Sequence, residues 1–266
     1  MILNLLFLIL SLAGGCGLWG ALRFHPAWLL LIVPGCFLLC VILYMLFLTV
    51  TSLSFGKKDP EKSSAFCRFQ IWLFLHWLMS LLRVRIRMRG EELLPDGPCI
   101  IVCNHRSVFD PMTLLSVLRR RKLIFISKEE NFRIPIAGNY IRRAGFFAID
   151  RENGIKALRT LKKAAERMQA ERTDIGIYPE GTRSKNGDLL EFKTGAFYLA
   201  KKAEVPVVVM SAWGTEKIGK KLPLRRVPAD LTFLGVIDAE TVKTLSMEKL
   251  AERTRSMIEA DLKTRS

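Results

Sequence analysis

Of the three histidines in these 266 residues, His25, His76 and His105, only the last stands where chemistry is easily assembled. It follows the apolar run Cys99–Cys103, which reads as a buried strand, and the C-terminal ends of such strands are where α/β folds gather their sites. Asn104 precedes it, and Asp110 comes five residues later. If the chain turns between them, the carboxylate accepts a hydrogen bond from one imidazole nitrogen, fixes the tautomer and leaves the other nitrogen basic. That dyad can take a proton from an alcohol. The same spacing also fits an Asp110 that merely caps a helix beside an unrelated histidine. Cys103 offers a rival chemistry, because two residues along a strand share a face and a thiol there could be activated by His105 as a nucleophile.

A second constellation follows another apolar run. Tyr178-Pro179-Glu180-Gly181-Thr182-Arg183-Ser184 places a carboxylate, a flexible glycine and a guanidinium in one turn. The planar fork of Arg183 matches a phosphate better than an ammonium does. Lys128, Arg151 and Lys193 also follow or flank candidate strands, so several cations could converge on one phosphate. Taken alone, the turn is equally a solvated surface feature.

Taken together the segments form a recognisable series. Asn104-His105-Arg106-Ser107-Val108-Phe109-Asp110 resembles the first signature of the lysophosphatidic acid acyltransferases, also called glycerolipid acyltransferases. Gly145–Arg151 resembles the second signature and Tyr178–Ser184 the third, in the same order along the chain. The fourth, Val205–Met210, departs from the pattern in having Val209 where the family usually has a second proline. Phe192-Lys193-Thr194-Gly195 and the stretch from Lys128 through Gly138 are also similar, so the likeness covers about residues 85 to 215.

This resemblance implies that His105 is a general base and that Asp110 orients it. It implies direct attack of a lysolipid hydroxyl on a thioester, with acyl-CoA or acyl-acyl carrier protein as co-substrate and no metal or other cofactor. The implied acceptor is 1-acyl-sn-glycerol-3-phosphate, with another lysolipid or glycerol-3-phosphate as the alternative. Arg183, Glu180 and Gly181, helped by Lys128 and Arg151, would then hold its phosphate end.

The elements that must position these residues are legible as patterns. Val84–Arg89 alternates strictly and reads as a half-buried strand ended by Gly90. Apolar runs at 99–103, 123–126, 146–149, 175–178, 205–210 and 231–236 suit strands buried on both faces. Between them Ile155–Arg172 has a helical period, with Leu158, Leu161, Ala165 and Met168 on one face, and Thr244–Thr264 reads as a final amphipathic helix. Lys217–Pro228 reads as a basic loop. Strand and helix alternate, so the expected fold is α/β, a mixed, largely parallel sheet flanked by helices over residues 84–266.

The front of the chain differs in kind. Residues 1–50 carry one charged side chain, Arg23, while the other 40 basic and all 25 acidic residues follow, a net of +15. Met1–Leu22 and Pro26–Val50 each match the roughly 20 residues that span a bilayer, and the short link between them predicts a membrane hairpin over 1–55, with Pro34-Gly35 as a possible kink. A cleaved signal is not expected, because the start lacks positive charge and Ala13-Gly14-Gly15-Cys16 only approximates a lipoprotein site. Lys57, Lys58, Lys62 and Arg68 predict a body on the cytoplasmic side of a cell membrane. Phe66–Leu82 has only 14 residues between Arg68 and Arg83. With Arg68, His76, Ser80 and Arg83 grouped within about a third of a turn, residues 56–83 read as a linker and an interfacial helix; an ordinary core helix is the other reading.

So basic a body requires anionic company. The apolar front favours an anionic bilayer surface and lipid substrates over nucleic acid, for which no binding motif is present. The six cysteines contain no C-x-x-C pair, so packed thiols are expected rather than a disulfide frame or a zinc site.

Overall fold

The computed structural model describes residues 2–22, 25–56, 59–150, 152–184, 186–220 and 225–265. Seven strands form one sheet: β1 (Val84–Arg89), β2 (Ile100–Cys103), β3 (Leu123–Lys128), β4 (Phe147–Ile149), β5 (Asp174–Ile177), β6 (Val207–Trp213) and β7 (Val227–Ile237). Their order is β1-β7-β6-β2-β5-β3-β4. Every neighbouring pair is parallel except β6 and β7, which run antiparallel. The central strands β2, β5 and most of β6 are buried along their length, as their uninterrupted apolar sequences require, whereas β1 alternates because one of its faces meets solvent.

Helices α4 (Phe109–Val117) and α5 (Ala137–Arg143) follow strands as the chain steps outward from β2 to β3 to β4. It then steps back through α6 (Gly154–Glu171) and α7 (Gly195–Ala203) to β5 and β6. Right-handed crossovers in opposite directions place the two sets on opposite faces. Accordingly α6, α7 and the late helix α9 (Met247–Lys263) pack together, while α4 and α5 both pack on α3 (Ala65–Leu81). The short α8 (Ala239–Thr244) links β7 to α9.

The mixed, largely parallel α/β architecture read from the sequence is therefore what the chain adopts. One detail of α6 differs. Leu161, Ala164, Ala165 and Met168 are buried, but Leu158, expected on the same face, is 48% exposed, and Ile155 is 76% exposed. The reason is the brevity of the edge strand β4, only three residues, which leaves the first turns of α6 without sheet to cover.

At the N-terminal ends of the strands a buried carboxylate stitches three of them together. Asp174 accepts from the Cys99 amide at 3.1 Å and from Arg121 Nε and Nη2 at 2.6 and 2.7 Å, and Arg121 also donates to the carbonyls of Pro95 and Gly97. A buried charge is tolerable only when paired in this way.

Ahead of the sheet, α1 (Ile2–Leu22) and α2 (Leu29–Leu53) pack as a hairpin, and α2 continues through Pro34 and Gly35 as one helix. Two helical segments, Ile2–Leu22 and Pro26–Leu53, are long and apolar enough to cross a membrane. Gly15 permits their approach, since a Cβ there would lie 2.9 Å from Val33 Cγ2. Arg23 and Phe24 of the link, and Lys57 and Lys58 beyond the hairpin, lie outside the described residues.

The helix read as interfacial is wedged between hairpin and body. Trp77 of α3 donates to Asn4 at 2.7 Å, Tyr44 of α2 donates to Gln70 at 3.3 Å, and Trp72 donates to the Ser116 carbonyl at 3.0 Å. Only its outward side keeps Phe66, Phe69 and Leu81 exposed. Apolar residues run around most of α3, so more than one face finds a partner.

Gly176 leaves the sheet no room for a side chain. A Cβ at Gly176 in β5 would lie 2.2 Å from Cε1 of Phe125 in the adjacent strand β3. Gly176→Ala is therefore expected to cost about 1–3 kcal/mol through overpacking, read as a fall in Tm of several degrees; an unchanged Tm would mean that the Phe125 ring moves aside freely.

Candidate active site

Because β2, β5, β3 and β4 are parallel and adjacent, the segments that follow them all emerge on one edge of the sheet. His105 lies two residues beyond β2 and Tyr178–Ser184 begins immediately after β5. Lys128 ends β3, and Asp150 follows β4. Residues more than 70 positions apart in sequence are thus neighbours by topology.

The His105–Asp110 dyad is formed. Nδ1 of His105 lies 2.8 Å from Oδ2 of Asp110, so the ring donates Nδ1–H to the carboxylate and keeps the lone pair on Nε2. The same Oδ2 accepts the amides of Arg106 and Ser107, each at 2.7 Å. Asp110 sits in the first turn of α4, and its carboxylate reaches back to the loop before the helix, holding that loop's amides and orienting the imidazole at once. The dyad forms, and the helix-cap alternative does not: the N-cap of α4 is Val108, without a side-chain cap bond. The carboxylate side chain is 1% exposed and the imidazole 18%, which buries the orienting group and leaves the base approachable.

Stacking holds the other side of the imidazole. The ring lies against Tyr178, centroids 4.2 Å apart, and Tyr178 in turn stacks on Phe125 at 5.6 Å and nearly parallel. The Phe125 ring occupies the space that Gly176 leaves. The Tyr178 hydroxyl is buried without a hydrogen-bond partner, and that burial pushes its pKa up, so it serves as an apolar platform and not as an acid.

Glu180 does something other than the sequence reading assigned. It is 3% exposed, and its carboxylate accepts the backbone N–H of His105 and, at 3.1 Å, that of Leu190. Burial pushes its pKa up while those two amides pull it down. A carboxylate so engaged repels a phosphate; it ties the loop after β5 to the loop after β2. Ser184 N donates to the His105 carbonyl at 2.9 Å and adds a second tie between the same loops.

Gly181 adopts a left-handed φ of +70°, which turns the chain where a Cβ would lie about 3.1 Å from Cε and Nζ of Lys193. Lys193 therefore lies over the same turn that carries Arg183. Arg183 and Lys128 are both exposed at this edge. The structure thus brings Gly181, Arg183, Lys193 and Lys128 to the dyad's side of the sheet; Arg151 lies outside the described residues.

Cys103 is 2% exposed, and burial, followed by the nearby carboxylates of Asp110 and Glu180, drives its thiol pKa well up. A thiolate nucleophile is strongly disfavoured there. The cysteines among the described residues are free thiols.

Residues that carried no role in the sequence reading complete the frame. Asn104 bonds both ways to the backbone of Ala212 in β6, accepting from its amide at 2.8 Å and donating to its carbonyl at 3.0 Å. Arg106 lies over the Trp213 ring, 4.4 Å from its centroid, with Glu216 at 3.7 Å. Thr215 donates its hydroxyl to Oδ1 of Asp110. No local pattern marks it, because its partner lies 105 residues away.

Residues 85–213 match the protein family described as Acyltransferase. Over 126 residues, 47% of this chain and 45% of the relative, the sequence is 42% identical to human 1-acyl-sn-glycerol-3-phosphate acyltransferase beta. It is 31% identical over 186 residues, 69% of this chain and 64% of the relative, to the alpha enzyme of Bos taurus. The chain thus spans less than two thirds of the length of these curated relatives. The fold is similar to that in the crystal structure of the 1-acyl-sn-glycerophosphate acyltransferase PlsC from Thermotoga maritima. That match has a TM-score of 0.65 and 27% identity, and covers 84% of this chain and 88% of that one. The dyad, the signature loops and strands β2 to β6 all fall inside the segment, residues 85–213, that matches the acyltransferase family.

Proposed function

We propose that the protein transfers a fatty acyl group from a thioester, acyl-CoA or acyl-acyl carrier protein, to the free sn-2 hydroxyl of 1-acyl-sn-glycerol-3-phosphate, forming phosphatidic acid for phospholipid synthesis. The observation that carries this reading is the His105–Asp110 contact: with Nδ1 2.8 Å from a buried carboxylate oxygen, Nε2 of the partly exposed ring is left to act as the base. The relatives' names supply the acceptor class.

The reaction balances without a covalent enzyme intermediate. Nε2 takes the hydroxyl proton as the alkoxide oxygen bonds to the thioester carbonyl carbon. Collapse of the tetrahedral adduct expels the thiolate, which takes the proton back from the imidazolium. Asp110 stabilises that imidazolium during its brief existence. Arg183, with Lys128 and Lys193 as further cations of the same edge, would hold the acceptor's phosphate, and the family resemblance adds Arg151 to them. Glu180 and Gly181 would shape the turn that carries Arg183.

Apolar substrate tails need a lipid phase. The hairpin supplies contact with one, and the basic body faces anionic headgroups on the cytoplasmic side. The acceptor then reaches the dyad without leaving the membrane surface.

His105→Ala and Asp110→Asn are each expected to lower turnover of lysophosphatidate by about two orders of magnitude or more, with an unchanged unfolding transition in His105→Ala. Near-normal turnover in His105→Ala would rule the dyad out as the base.

For Arg183 the acceptor's KM is the informative constant. Arg183→Lys keeps charge but loses the fork and should raise that KM, and Arg183→Ala should raise it further, by an equivalent of about 2–3 kcal/mol. The donor's KM should move much less. An effect confined to the donor would reassign Arg183 to the carrier's phosphate.

A further inference from the structure

The two oxygens of the Asp110 carboxylate are held from different directions. Oδ2 takes three N–H donors, all from the consecutive residues His105, Arg106 and Ser107 of its own loop. Among the described residues, the donor to Oδ1 comes from far along the chain, the hydroxyl of Thr215 just past β6. Thr215 is fully buried, and so is the carboxylate it meets.

The segment carrying Thr215 is itself rigidly placed. Gly214 before it has a φ of +80°, and a Cβ there would lie 2.5 Å from the Pro228 carbonyl oxygen, so only glycine makes this turn. A single 3₁₀ turn follows over Thr215–Lys217, with Lys217 N donating to Gly214 at 3.1 Å and Ile218 N to Thr215 at 3.2 Å. On either side of Thr215 the same segment grips the dyad loop again, through Ala212 to Asn104 and through Trp213 and Glu216 to Arg106.

We infer that Thr215 is a positioning residue for the transfer reaction: its hydroxyl fixes the rotation of the Asp110 carboxylate and, through it, the aim of His105. The bonds at Oδ2 move with the loop that supplies them, whereas the bond at Oδ1 references the carboxylate to the end of β6. Without it, only the donors of its own loop hold the carboxylate, and the acceptor of the Nδ1–H shifts whenever that loop shifts relative to β6. The inference rests on the dyad mechanism proposed above.

Thr215→Val keeps the side chain's shape and removes the donor; Thr215→Ser keeps the donor and removes a methyl. Thr215→Val is expected to lower kcat roughly tenfold or more with both KM values within about twofold, and Thr215→Ser to stay within about threefold of the parent. Hydrogen–deuterium exchange of the peptide containing Arg106 and Ser107 supplies a readout that needs no substrate. Their amides should exchange faster in the valine variant and at the parent rate in the serine variant, with the rest of the domain unchanged. A parent-like kcat in Thr215→Val would overturn the assignment, as would equal losses in both variants with exchange raised throughout the domain. If the parent enzyme fails to acylate lysophosphatidate, the proposed acceptor is wrong, and the exchange experiment still decides the role of Thr215.

Discussion

Four donors converge on the carboxylate of Asp110: the imidazole Nδ1–H of His105, the amides of Arg106 and Ser107, and the hydroxyl of Thr215. A fully buried carboxylate is costly to place unless its lone pairs are occupied, so this set of bonds is a condition for the loop to exist in its observed form. Once it exists, the tautomer of His105 follows, and the direction of the basic nitrogen follows from the tautomer. The charge is kept where solvent does not reach it, and the imidazole it serves is left partly open.

The rest of the fold is arranged around that constraint. The parallel sheet delivers the loops after β2 and β5 to the same edge, and Glu180 and Ser184 tie them together through the backbone of His105. Asn104 fastens the end of β2 to β6 where the ladder gives out, and the aromatic stack of Phe125 and Tyr178 supports the ring from below. At the opposite edge Asp174 and Arg121 fix the strand starts. Stability and chemistry are thus divided between the two ends of the sheet, while the N-terminal hairpin adds an apolar surface joined to the body through α3.

Local chemistry was legible in the sequence and long-range partnership was not. The apolar run before His105 and the one before Tyr178 place both loops at strand ends, and a signature of seven residues is short enough to fold on itself. Glu180 misled because a carboxylate beside an arginine in a turn looks like part of a polar ligand site. Its actual partners are an amide 75 residues earlier and one ten residues later, which no spacing rule reveals. Thr215 was invisible for the same reason: its partner Asp110 lies 105 residues away. Helix periodicity placed Leu158 on the buried face correctly as geometry, but the sheet beneath it is too short to cover it. The tryptophans of α3 reach partners in both neighbouring layers, and the polar cluster on one face of the helix gives no sign of those partners.

The central claim is direct transfer assisted by the His105–Asp110 base, with the buried Cys103 taking no covalent part. It is tested most directly by mixing the purified protein with an acyl thioester in the absence of acceptor, quenching on the turnover timescale and measuring the intact mass. Direct transfer predicts an unmodified chain, with acyl product appearing only once lysophosphatidate is added. A chain heavier by one acyl group, mapped to Cys103 and lost on addition of acceptor, would contradict it.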